Sequence, residues 1–345
     1  MPQNKLKPTI KKLISFMRGL YQKIPYPSFH RFVKICGSSW RIIAICTSLI
    51  VFLYYPLGGW IINNINTDTS VEFSNTDTQR STTIETISYL IRREVNDNIW
   101  TPNLPFFFPS YFLDNMPEFQ TGVITSIRNL TSILAEHWEQ DVAPQEEQYL
   151  KQAAKLLQYP PEIWLFSQEN RLMPAPSSPS QYRKARKLLI KYNQGLSDGS
   201  LVYYKTTHDL ISFLKNISIN LHKTASKLET HIREESPDYI DSQADNLFYR
   251  ARGLAYADYM LLKALGIDYK NILLEADVYP DWTRMLKALE SAAQLNPLLI
   301  RNGEIDSSFA PNHLSAEGFY LLKARSLMQK ISRNLELSIQ KNKEQ

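Results

Sequence analysis

No aspartate or glutamate occurs before Asp68, and no cysteine occurs after Cys46. The second absence excludes a disulfide framework, a thiolate metal site and a cysteine nucleophile from residues 63–345, because the two cysteines, Cys36 and Cys46, sit in or beside a long apolar run. The first absence leaves the N-terminal tail with cations alone: Lys5, Lys7, Lys11, Lys12, Arg18, Lys23, Arg31, Lys34 and Arg41. Removing those nine from the 39 lysines and arginines leaves 30 cations against 34 anions in the rest of the chain, a net charge of −4. The overall charge of +5 thus combines a basic tail with a mildly acidic body. Such a body lacks the clustered positive charge that displaces counterions from phosphates, so nucleic acid is not an expected partner. Strand-like alternation with turn pairs is nearly absent, as are a Gly-x-Ser-x-Gly elbow, a P-loop and a dinucleotide fingerprint. No catalytic residue, metal site or cofactor is expected on these grounds.

What is present begins with "IIAICTSLIVFLYYPLGGWII", Ile42 to Ile62, 21 residues without a charge. At about 1.5 Å per residue this helix would measure about 32 Å, the thickness of a hydrocarbon core. A buried core helix and a cleaved signal peptide are the alternatives. A signal peptide has a shorter apolar region and a small-residue cleavage site, which is not seen here. Trp40, Arg41, Tyr54 and Tyr55 are candidate interfacial anchors, and Pro56, Gly58 and Gly59 are expected to loosen the outer end. The positive-inside rule puts residues 1–41 in the cytoplasm and the body outside, since Asp68, Glu72 and Asp77 follow the run before any cation. Within the tail, Leu6, Ile10, Leu13, Ile14, Met17, Leu20, Tyr21 and Ile24 recur at spacings of three and four. That pattern reads as a basic amphipathic helix on anionic lipid, a disordered basic flank being the alternative.

Residues 63–82 read as a polar linker, and residues 83–345 as helices throughout. The longest pattern places Leu210, Leu214, Ile217, Leu221, Thr224, Leu228 and Ile232 on one stripe, more in keeping with an intramolecular core than with a dimer seam. Ala251, Ala255 and Ala257 form a small-residue row on the next helix, with Gly266 as its expected C-cap. Ser177 to Ser180 fall in a Pro-rich loop read as linker. The predicted fold class is all-α, a single N-terminal transmembrane helix followed by a multi-helix bundle.

One segment resists the helical reading. "WTPNLPFFFPSYFLDNMPEFQTG", Trp100 to Gly122, interleaves four prolines with large aromatic rings. Trp100, Phe106, Phe107, Phe108, Tyr111 and Phe112 are a candidate docking segment. The prolines predict an extended path with alternate rings on opposite sides, so that Phe106 and Phe108 behave alike and Phe107 differs. Core packing at the base of the bundle with one exposed flank is the expected arrangement.

"YYPLGGWIINNINTD", "REVNDNIWTPNLPFFFPSYFLDNMPEFQTG", "LLQYPPEIW", "QYRKARKLLIKYN" and "NLFYRARGLAYADYMLLKAL" together resemble a bacterial family catalogued as domain of unknown function 2333. The resemblance runs from about Tyr54 to Leu337 and implies a proteobacterial inner-membrane protein with one N-terminal anchor and a periplasmic helical domain. It brings no established activity. One departure is that Tyr256 and Met260 stand where a tryptophan and a histidine would be expected.

The histidines offer weak metal candidates. His137 with Glu139 and Asp141 is spread over different helix faces, and His231 with Glu234 and Glu235 lacks a third ligand. Two function classes follow: a non-enzymatic envelope protein that binds or scaffolds another envelope component, or an envelope enzyme or accessory factor acting on cell wall or lipid. The second needs acids such as Asp114 and Glu118 to converge in a cleft with a raised pKa. A flat apolar patch favours the first.

Overall fold

The computed structural model describes residues 26–73, 79–138, 148–165, 174–234, 241–297, 300 and 312–344, with side chains from Ile43 onward except those of 148 and 342–344. The chain divides into two units between Gly58 and Gly59. Helix α1, Tyr26–Ile62, makes up the described part of the first, and its last turn from Gly59 belongs to the second. Ile43–Ile62 has a mean hydropathy of 1.8, and only 6% of its most apolar window is buried. A helix apolar all round and left uncovered by protein suits a hydrocarbon environment. It is long and apolar enough to cross a membrane, and it runs helically through Pro56 rather than loosening there. Tyr54 and Tyr55 meet edge to face at 5.2 Å. Trp40 and Arg41 lie within α1, but their side chains, like the whole Leu6 to Ile24 pattern, fall outside the described residues.

The second unit is all-helical among its described residues: α2 (Thr82–Arg92), α3 (Asn115–Trp138), α4 (Gln148–Leu157), α5 (Ser178–Asp198), α6 (Thr207–Glu234), α7 (Ser242–Asp268), α8 (Lys270–Glu275), α9 (Tyr279–Gln294) and α10 (His313–Glu344). Helix α7 is its centre. Of its 27 residues, 19 are buried, so apolar or small side chains cover every face and neighbours pack all round it. The row Ala251, Ala255 and Ala257 is buried as its size suggests. Helix α7 does not stop at Gly266 but continues to Asp268. The missing side chain at Gly266 instead makes room for the Trp282 indole of α9.

The long stripe of α6 is core. Leu210, Leu214, Ile217, Leu221 and Leu228 are all buried, and α10 lies along α6 with Leu321, Met328, Ile331 and Leu335 buried in turn. Two stretches read as linker are structured. Residues 63–73 run without regular structure along the body: Tyr256 Oη donates to the Asp68 carbonyl (3.0 Å), and Lys263 Nζ donates to the carbonyls of Thr69 (3.1 Å) and Val71 (3.3 Å). Ile65, Val71 and Phe73 pack on the core. Ser177 to Ser180 do not form a linker either, because α5 starts at Ser178 and the buried Ser178 Oγ donates to the Pro160 carbonyl at 2.7 Å. For residues 68–71 side chains of α7 supply the hydrogen bonds that hold that backbone in place.

Candidate functional site

The aromatic-proline segment is fastened at its start and open at its end. Trp100 is 4% exposed, meets the buried Tyr182 ring edge-on at 5.3 Å, and donates from Nε1 to the Pro161 carbonyl at 3.0 Å. Gln120 of α3 acts as a buried clamp. Its Oε1 accepts from the backbone N–H of Thr101 (2.9 Å) and from Thr101 Oγ1 (2.8 Å), while its Nε2 donates to the carbonyls of Ile99 (3.0 Å) and Glu94 (3.3 Å). Asn103 Nδ2 donates to the Ile163 carbonyl at 2.6 Å and ties the segment to the loop before α5. Satisfying buried polar groups this fully makes the path specific.

Beyond Asn103 the chain turns instead of extending. Phe108 N–H donates to the Pro105 carbonyl, Tyr111 N–H to Phe108, and Pro109–Phe112 forms a single 3₁₀ turn. Alternation across a strand therefore does not apply. Phe106 (68% exposed), Phe107 (48%), Tyr111 (53%) and Phe112 (70%) all reach solvent, and Phe108 is half-buried. The expectation of a plug in the bundle base holds for Trp100 alone, and the pairing of Phe106 with Phe108 against Phe107 is not what the turn produces. A 3₁₀ turn, with about three residues per turn, spreads successive side chains round its axis, so Ser110 is buried while Tyr111 and Phe112 face out. Sequence reasoning missed Trp164, whose ring meets Phe107 edge-on at 5.8 Å. It sits in "YPPEIW", which has no helical period to mark it. Together these rings make an exposed aromatic shelf. At its edge, Gly59 in the last turn of α1 is buried, with Leu113 Cδ2 3.6 Å and the Pro109 carbonyl 3.7 Å from where a Cβ would stand.

These burials set an ordered stability series. Trp100→Ala should cost about 3 to 5 kcal/mol, as buried aromatic truncations do. Phe106→Ala, Phe107→Ala and Phe112→Ala should each stay within about 1 kcal/mol. Urea melts of the four variants check the order, and equal losses would contradict it.

Of the two acids that the enzymatic reading names, only Asp114 meets another carboxyl group, that of Asp245. Glu118 is neutralised by Arg250 Nε at 2.5 Å. Asp114 is exposed; in the orientation that satisfies both partners, the Asn115 amide donates to Asp114 and Asp245. Burial, reinforced by the charge of Asp114, pushes the half-buried Asp245 up to about 6. Deeper in the body, Asp258 accepts a hydrogen bond from Ser126 Oγ and is pushed up to about 7 by burial. Burial also raises Glu317 well above the usual carboxylate range. With exposures of 3% and 0%, neither of these two faces solvent.

A carboxyl group whose pKa is raised on folding stabilises the fold while protonated in both states, and that contribution is lost as the pH climbs from its unfolded to its folded pKa. For Asp258 the window runs from 3.8 to about 7. The melting temperature should fall across that range, and Asp258→Asn should remove part of the slope. A profile unchanged by the substitution would mean that this carboxyl does not titrate there.

The histidines pair locally. His137 Nδ1 lies 3.1 Å from Asp209, and His231 Nε2 lies 2.6 Å from Asp241, the N-cap of α7, in place of the facial pair with its own helix. Glu139, Asp141 and Glu235 fall outside the described residues, and among the described residues no three His, Cys, Asp or Glu side chains are grouped to hold a metal.

No curated protein and no solved structure shows a significant match to the chain. A family model described as an uncharacterised protein conserved in bacteria matches residues 100–239 and 240–331, beginning at Trp100, where the clamped aromatic segment starts. With more than half of its length matched, the chain belongs to that family, domain of unknown function 2333.

Proposed function

We propose that this is a single-pass protein of the bacterial inner membrane, tail in the cytoplasm and helical body in the periplasm, which binds or scaffolds another envelope protein and is not an enzyme. The observation that carries the reading is the apolar stretch Ile43–Ile62, all but 6% of its most apolar window uncovered, preceded by cations only. Exposing that much apolar surface to water would cost about 25 cal/mol per Å², so the bilayer is its natural surrounding. The non-enzymatic part of the reading rests on where the ionisable groups are: Glu118 is held by Arg250, and Asp258 and Glu317 are sealed in the body. Reporters fused after Gln345 test the topology. One that works only outside the cytoplasm should be active, and activity of a cytoplasmic reporter in its place would overturn the orientation.

A second reading has one observation in its favour, the raised Asp245 beside Asp114 next to the shelf. An envelope enzyme using that acid would lose activity on Asp245→Asn. A scaffold would not, so cells carrying only that variant should keep the envelope phenotype of the native chain.

A further inference from the structure

We propose that the shelf of Phe106, Phe107, Tyr111, Phe112 and Trp164 is a lipid-facing foot, seated in the interfacial layer of the bilayer that α1 crosses and holding the body in one orientation on the membrane. The inference rests on the reading of α1 as an anchor. Its first support is depth. The apolar stretch ends at Ile62, and the buried Gly59 in that last turn has Leu113 and Pro109 within 3.7 Å of where a Cβ would stand, so the 3₁₀ turn lies beside the end of the span. In the same turn Trp60 and Ile61 are 79% and 69% exposed, continuing the apolar surface.

The second support is where residues 63–73 and 79–83 meet α7. Asp68 meets Tyr256, Thr69 and Val71 meet Lys263, and Ser81 to Thr83 meet Asp268. The chain therefore climbs α7 from its middle to its C-terminal end as it leaves the membrane, which makes the N-terminal end of α7 the membrane-proximal one. The shelf is at that end: Phe112 lies three residues before Asn115, whose amide faces Asp245 in the first turn of α7.

The third support is chemistry. No Asp, Glu, Lys or Arg occurs from Asn98 to Leu113, and the exposed Tyr111 within it and Trp164 beside Phe107 each carry a polar edge on an apolar ring. Amphipathic rings of this kind favour the headgroup boundary, where one edge is apolar and the other wet. The Gln120 and Asn103 hydrogen bonds hold the base of the shelf, so little ordering is needed on contact.

The test uses the full chain with Cys36 and Cys46 changed to alanine, so that one introduced cysteine takes an environment-sensitive dye. The sites are Phe107→Cys, Phe112→Cys and, as control, Tyr204→Cys. Tyr204 is 74% exposed and adjoins Tyr203, whose hydroxyl touches that of Tyr269 just past the C-terminal end of α7, about 40 Å from the shelf end. Each variant is checked by circular dichroism melting and reconstituted into phosphatidylethanolamine and phosphatidylglycerol vesicles with or without brominated acyl chains. Dyes at 107 and 112 should be quenched by brominated lipid and be several-fold less accessible to iodide than the dye at 204. Iodide access equal to that at 204 overturns the foot. So does shielding from iodide without quenching by brominated lipid, which would mean that a protein or a second copy covers the shelf. Retention in the vesicle fraction after an alkaline carbonate wash is scored separately: a chain washed out overturns the anchor and the foot with it, whereas a retained chain with iodide-accessible dyes overturns the foot alone.

Discussion

Alanine at Gly253 is expected to destabilise the helical body by about 3 kcal/mol or more, at the upper end of what overpacking costs. Helices α3 and α7 cross backbone to backbone here. A Cβ on Gly253 would fall inside the Phe119 carbonyl, and one on Gly122 inside the Arg250 carbonyl and 2.8 Å from the Leu254 nitrogen. Neither obstacle is the tip of a flexible side chain. The two helices would have to separate, opening the packing of the buried Phe119, Val123, Leu254 and Ala257. Gly318 of α10 is the control, since a Cβ there meets nothing within 4 Å. Gly318→Ala should be neutral or stabilise by up to about 1 kcal/mol, the helix preference for alanine. Chemical denaturation followed at 222 nm compares the three alanine variants. Equal, small effects at 122, 253 and 318 would show that the two backbones do not meet at the crossing.

Asp268→Ala should cost about 4 kcal/mol, because it leaves several buried donors without an acceptor. The fully buried carboxylate at the end of α7 caps the start of α2 from a distance in sequence. It accepts from Ser81 Oγ (2.8 Å), Thr82 N–H (2.9 Å), Thr83 N–H (3.0 Å) and Thr83 Oγ1 (2.7 Å). A negative group among the first N–H groups of a helix is also stabilised by the positive end of the helix dipole. Asp268→Asn keeps one acceptor oxygen and loses the charge, so it should fall between alanine and the native residue. Amide exchange at Thr82 and Thr83 reports the cap directly. If alanine left both exchange and stability unchanged, α2 would be held by its apolar face alone.

Some of this was legible in the residues and some was not. The aromatic segment divides the two cases, because Trp100 and Phe106 look alike as sequence. Only Pro161, Tyr182 and Gln120 distinguish them: they take one ring into the core and leave the other on a turn. Trp164 carried no periodic signal at all. Residues 63–73 are polar in composition, yet Tyr256 and Lys263 bind them to the body. Gly266 had the right type and place for a cap but was required by Trp282.

The sequence by itself determined that the body is helical, that one helix is long and apolar enough to cross a membrane, and that the α6 stripe belongs to the core. Each depends on local quantities, a 3.6-residue period or a run without charge, which short-range conformational preference and burial read directly. Tertiary structure alone decided the crossing at Gly122 and Gly253, the cap from Asp268, and the exposure of the shelf beside the end of α1. Those contacts join residues as much as 187 positions apart, as between Ser81 and Asp268, and no local pattern records them, because their free energy exists only once the chain has closed the loop between them.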